Sequence, residues 1–243
     1  MEQYLLDFIK SERNRFSIYD NNRFANSFSS IARYYKFLSI TSSEYQKLVS
    51  EYSKAFFDFQ KTTNKEPGIH TLSDKQIELN STMNDLGTKV QLKIETYYQF
   101  AKILLDKIAF SIDLYFGFQQ ISHHKLTQNY KKTGKSRIEN YCQIKGLKFD
   151  QKLLNKMIYL QNDISEFRDK KITHCPCPRI IYGVDIDGKM IITKIYPKDR
   201  DGETMKISKK LGELKKEIDE YIEEIINFID KNNDKTNLFI KEI

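Results

Sequence analysis

Cysteine is scarce in this chain. There are three, an odd count, which gives no basis for a disulfide framework and fits a reducing compartment, so a cytoplasmic location is expected. Four prolines and nine glycines in 243 residues are too few for a loop-rich β fold and suit long helices. No uninterrupted apolar run is long enough to span a bilayer. The most apolar stretch, residues 90–118, is broken by Lys93, Glu95, Lys102, Asp106, Lys107 and Asp113, so no membrane span is expected. The opening MEQYLLDFIK carries Glu2 and Asp7 and does not read as a signal peptide. Glycine-rich phosphate loops and G-x-S-x-G elbows are missing too. There is no internal repeat and no low-complexity segment.

Charge is present in quantity. Charged residues make up 30%, the formal net charge is +7, and the sequence pI is about 9.0. A positive excess points to an acidic partner, most simply a nucleic acid. A coding bias towards lysine and asparagine would give the same excess without a partner.

Apolar periodicity sets out an all-α chain. A first helix covers residues 1–16, with Tyr4, Leu5, Phe8 and Ile9 on one side. Helical spacing of Ile31, Tyr34, Tyr35 and Leu38 supports a second over 23–38, and Ser42 or Ser43 then caps a helix to Asn64. Pro67-Gly68 marks a break, dividing an N-terminal helical extension (1–66) from a helical domain (67–233). Ser73 opens a run to Phe116, kinked near Gly87. Its second half is apolar nearly all round, so it is either central or shared with a second copy in a homodimer. Asp106, Lys107 and Asp113 within it need partners, Arg168 or a lysine being natural for one of the acids, unless they lie on a solvated edge. A short helix near 136–144 ends before Gly146. After the helix that begins at Asp150, two β-rich runs flank Asp187-Gly188 and predict a β-hairpin insert, strands 179–185 and 189–196 within 179–196. A last helix over 208–231 turns Leu211, Leu214, Ile218, Tyr221, Ile222, Ile225, Phe228 and Ile229 inward. Residues 234–243 are expected to be a loosely held tail.

The stretch FDQKLLNKMIYLQNDISEFRDKKITHCPCPR, residues 149–179, is the most informative. Asp150 is a good N-cap, and Leu153, Leu154, Met157, Ile158, Leu160, Ile164 and Phe167 make an apolar face. Arg168, Asp169, Lys170, Lys171 and His174 then crowd together. Pro176 and Pro178 require the helix to end near Thr173 or His174. Arginine grips phosphate oxygens at two points, and histidine moves protons near neutral pH. Six residues of ideal helix turn about 600°, so Arg168 and His174 meet only if the last turn unwinds or a second subunit brings its own copy alongside. A plainer account also fits: Arg168 and the lysines as cations favourable at a helix C-terminus, His174 as a cap of the last carbonyls.

The arrangement Arg168-x5-His174, with an acid directly after the arginine, resembles the signature of the HEPN superfamily: arginine, four to six residues, then histidine. The stretch from Tyr97 to Gly117 is similar to the long helix that precedes the motif helix in one bacterial HEPN-like subfamily. The resemblance spans roughly residues 77–195. It implies a multi-helix HEPN-like bundle acting as a metal-independent endoribonuclease, set in stress response or phage defence. Two copies would form a homodimer lining one cleft. Arg168 and His174 would be catalytic, Asp169 would orient either, and Lys170 and Lys171 would bind RNA. No cofactor is implied, and no antitoxin is identified. Some HEPN toxins carry a modifiable tyrosine two residues after the histidine. Here that position is Pro176, so that route is not supported.

Two other classes stay open, a noncatalytic RNA- or nucleotide-binding helical module and a structural dimerising protein. A zinc site would draw on His174, Cys175 and Cys177, but Cys175-x-Cys177 is too tight and interrupted by Pro176. His123-His124 point different ways on a helix and read as surface residues.

Overall fold

The protein is all-α. Its structure, a computed structural model, describes residues 1–62, 72–119, 122–129, 134–168, 179–184, 190–196 and 207–241. Seven helices are described: α1 (Glu2–Arg13), α2 (Ile18–Thr62), α3 (Asp74–Phe116), α4 (His123–Thr127), α5 (Arg137–Lys145), α6 (Gln151–Ser165) and α7 (Ile207–Asp230). Among these residues no helix is long and apolar enough to cross a membrane. Strands β1 (Arg179–Val184) and β2 (Met190–Tyr196) pair antiparallel, Arg179 opposite Tyr196, with a register shift between Ile181 and Tyr182. Asp187 and Gly188, expected to turn between them, lie outside the described residues, as does Pro67-Gly68.

The chain forms two compact units: residues 1–38, 98–167 and 213–243 in one, and 39–97 and 168–212 in the other. In the first unit, aromatic rings build much of the core. Phe24 and Phe28 stack at 4.4 Å, Phe16 lies 5.2 Å from Phe24, and Phe116 lies 5.2 Å from Phe228. Such pairs add roughly 0.5–1.5 kcal/mol each beyond the apolar area they bury. The second half of α3 runs through this core. Tyr98, Ala101, Leu104, Leu105, Ile108, Ala109, Ile112, Tyr115 and Phe116 are all buried, so most of the surplus apolar surface read from the sequence is covered by the chain itself. Phe110 remains exposed. The expected partner for an acid in α3 is a lysine one turn away: Lys102 Nζ lies 2.8 Å from Asp106.

In the second unit, Tyr45, Tyr52, Val90, Ile94 and Tyr97 are buried. Lys93 pairs with Glu44 at 2.5 Å. The start of α3 is tied by reciprocal bonds between Ser73 and Gln76, and Gln76 Nε2 donates to the Thr62 carbonyl at 2.7 Å.

Two features differ from expectation. No new helix starts at Ser42: α2 is continuous through Ser39, Ser42 and Ser43, because buried Leu38, Thr41 and Tyr45 keep one helical stripe across the serines. Residues 234–241 are tied down. Ser17 N–H donates to Phe239 O at 2.8 Å, Lys241 N–H to Arg15 O at 2.9 Å, and Asn237 N–H to Tyr115 O at 2.7 Å. The buried Asp20 carboxylate accepts from Phe239 N–H at 2.9 Å. Gly117 ends α3 at φ +68°, where a Cβ would meet the Asn237 side chain at 3.2 Å.

Helix α5 matches its reading closely. Ser136 and Glu139 form a capping box, and Gly146 closes the helix in the left-handed region at φ +64°. Ser136 is 1% exposed, so water replaces a lost cap poorly. Ser136→Ala is expected to lower unfolding free energy by about 1 kcal/mol, read as a lower urea midpoint at unchanged slope. An unmoved midpoint would mean that Ile138 and Cys142 hold the helix without the cap.

Candidate functional site

Helix α6 starts on Asp150, whose side chain accepts from Lys152 N–H at 2.8 Å. Leu153, Leu154, Met157, Leu160 and Ile164 are buried along it, as their spacing requires. The α-helix ends at Ser165, and residues 166–168 continue it with π-helical geometry. Such stretches recur at functional positions in helices. Phe167 is 3% exposed and stacks on Tyr98 with centroids 4.0 Å apart and planes 13° apart. Arg168, half-buried, follows directly on this anchored ring. Asp169, Lys170, Lys171 and His174 lie outside the described residues, as do Cys175 and Cys177. Of the expected constellation, the structure therefore places Arg168. Among the described residues, no group of three or more His, Cys, Asp or Glu side chains is arranged to hold a metal ion.

One polar cluster escaped the sequence reading. His124 is exposed, as expected, but His123 is fully buried. Its Nδ1 lies 3.0 Å from Gln161 Oε1 and its Nε2 3.0 Å from Tyr221 Oη. Gln161 Nε2 in turn donates to Ser165 Oγ at 2.6 Å. The amide oxygen of Gln161 faces the imidazole. The neutral ring then donates from Nδ1 to Gln161 and accepts at Nε2 from the Tyr221 hydroxyl. His123 N–H donates to Asp106 Oδ1 at 2.9 Å. Burial, the largest influence, pulls the imidazole down to about 4, with Lys102 also lowering it and Gln161 and Asp106 acting the other way. Burial likewise raises the Tyr221 phenol well above its usual range. The ring offers no face to a substrate, so this network ties α4 to α6 and α7 rather than doing chemistry. Leu126, three residues on and fully buried, was the available sign that this face of α4 points inward.

A cleft of about 630 Å³ opens between the segment leading into α6 and the last turns of α7. Lys148, Phe149, Lys152, Glu224, Phe228 and Lys231 line it. Asn232, 2% exposed, fixes its walls to each other: its Oδ1 accepts from Lys148 N–H at 2.7 Å, and its Nδ2 donates to Lys148 O at 3.0 Å and Phe228 O at 2.8 Å.

No family model matches this chain, and neither does any curated protein or solved structure.

Proposed function

We propose that the chain is a metal-independent endoribonuclease of HEPN type, with Arg168 and His174 at its centre and Asp169, Lys170 and Lys171 beside them. The observation that supports this most is the placement of Arg168. It lies in π-helical backbone directly after Phe167, whose ring stacks on Tyr98, in an all-α protein whose motif helix begins where the sequence puts it. A guanidinium can grip phosphate oxygens as charge builds on them. His174, six residues on, supplies a group that titrates near neutral pH. The RNA ribose 2′-OH attacks the adjacent phosphorus, the 5′-oxygen leaves, and imidazole handles the protons. A homodimer would bring two copies of the motif to one cleft.

Single-stranded RNA incubated with the protein is expected to be cut in the presence of EDTA. It should stay intact wherever deoxyribose replaces the ribose at the cleaved step, because the attacking hydroxyl is gone. Cleavage that needs added divalent metal, or that continues past the deoxy position, overturns this mechanism.

A noncatalytic reading, RNA or nucleotide binding, is favoured by the location of charge. Between Ser122 and Lys152, the described residues carry Lys125, Lys135, Arg137, Lys145, Lys148 and Lys152 against two acids, Glu139 and Asp150. Both acids cap helix N-termini. Lys125, Lys135, Lys145, Lys148 and Lys152 are exposed, a charge pattern suited to a phosphate backbone.

A further inference from the structure

We infer that the cleft between Lys148 and Lys231 is a nucleotide-binding site, holding the phosphate on its lysines and the base against its aromatic wall. The inference rests on the RNA- or nucleotide-binding reading and not on the cleavage chemistry.

Size comes first. About 630 Å³ falls within the roughly 300–1,000 Å³ typical of small-molecule sites. Charge comes next. Lys152 is taken by Glu224 at 3.0 Å, and the Asp150 carboxylate accepts from the Lys152 amide. Lys148 and Lys231 form no ion pair among the described residues, so their positive charge is left for an anion. Lysine binds phosphate as a mobile point charge.

The rest of the lining argues for more than a bare anion. Phe149 is half-buried and meets Phe228 edge-on at 5.7 Å. A partly open ring held in place this way is a platform for a flat base, and such stacking is sequence-tolerant. Gln151 and Asn227 add amides that can read a base edge. Glu224 Oε2 is buried and has no hydrogen-bond partner in the structure. An unsatisfied carboxylate oxygen on a cleft wall is costly, and the amino group of a base or a ribose hydroxyl would satisfy it. The Asn232 bonds hold the Lys148 backbone in place before any ligand arrives, which lowers the ordering cost of binding.

The test is calorimetric titration of the full chain with the four nucleoside 5′-monophosphates, adenosine, inorganic phosphate and a 5′-phosphorylated single-stranded octaribonucleotide. We expect a nucleotide or the octamer to bind, and Lys148→Ala/Lys231→Ala to weaken it tenfold or more with a shallower salt dependence. Phe149→Leu, which keeps apolar bulk without the ring, should weaken it several-fold. Lys10→Ala, on an exposed residue of α1 outside the cleft lining, should leave it unchanged. Saturation by a mononucleotide identifies a free nucleotide as the source. Binding by the octamer alone identifies a unit of an RNA chain. The inference is overturned if none of these binds at millimolar concentration, if the double variant binds like the unaltered chain, or if inorganic phosphate binds as tightly as the nucleotides. Repeating the titration with Arg168→Ala separates the two readings. Lost cleavage with retained binding concerns Arg168 alone, and lost binding in the lysine variant with cleavage intact concerns the cleft alone.

Discussion

His174→Ala is expected to slow RNA cleavage about 10²–10⁴-fold, the usual worth of one positioned general acid or base. Arg168→Ala should cause a loss of similar scale, because a guanidinium that follows developing phosphorane charge acts mainly in the transition state. The substitutions differ in what else they touch. Arg168 is half-buried in π-helical backbone, but the ring stack beside it is Phe167 on Tyr98, and that stack stays in Arg168→Ala. Helical circular dichroism should therefore be kept, and the loss should appear in kcat/KM. The outcome divides three classes of protein. A ribonuclease loses cutting and keeps its fold. A binding module retains RNA uncut, and losing a cation there weakens binding in a salt-dependent way. A structural protein shows neither effect. Undiminished cutting in both variants would place the chemistry elsewhere in the chain.

Much of the helical framework was legible because one kind of signal repeats along it. Leu153, Leu154, Met157, Leu160 and Ile164 recur at helical spacing and are buried, and Ile218, Tyr221, Ile222, Ile225, Phe228 and Ile229 do the same in α7. Ser136 with Glu139 and Gly146 punctuated α5 by local chemistry alone. What local chemistry misjudged depended on distant partners. Ser42 or Ser43 looks like a cap in isolation, but the stripe through Leu38, Thr41 and Tyr45 carries the helix past them. Residues 234–241 have weak periodicity, and they are held by backbone hydrogen bonds to Arg15, Ser17 and Tyr115 that no spacing rule foresees. His123 and His124 point different ways on a helix, but nothing in the pair itself says that the His123 side turns inward. Its partners Gln161 and Tyr221 are far along the chain, so only the fold could join them. Of the candidate site, Arg168 was legible from its place directly after the apolar face of α6, whereas the cleft at Lys148 was not, since its second wall comes from α7.

The protein is expected to lose about 2 kcal/mol of stability between pH 7.5 and pH 5 through His123 alone. In the folded chain its imidazole is pulled below the ordinary 6.5, to about 4, first by burial. In the unfolded chain it protonates near 6.5. A group with a depressed folded-state value binds more protons when unfolded, so its stabilisation is fully present above pH 6.5 and is lost as pH falls towards 4. At about 1.4 kcal/mol per pH unit, the whole displacement is worth on the order of 3 kcal/mol, and most of it has gone by pH 5. The geometry gives the reason. Protonation would put a second donor at Nε2, opposite a Tyr221 hydroxyl that would then have to accept and find a new acceptor for its own hydrogen. Lys102, close enough to lower the imidazole further, makes a second positive charge there less welcome still. The comparison that isolates His123 is urea unfolding of the unaltered chain and of His123→Gln at pH 7.5, 6 and 5. The variant should be less stable at pH 7.5, because Gln161 and Tyr221 lose a well-fitted partner, and the gap should narrow by about 2 kcal/mol at pH 5. Carboxylates titrate alike in both chains and cancel in the difference. A gap independent of pH would mean that His123 takes up its proton without unfolding the chain, through a route to solvent that its complete burial does not provide.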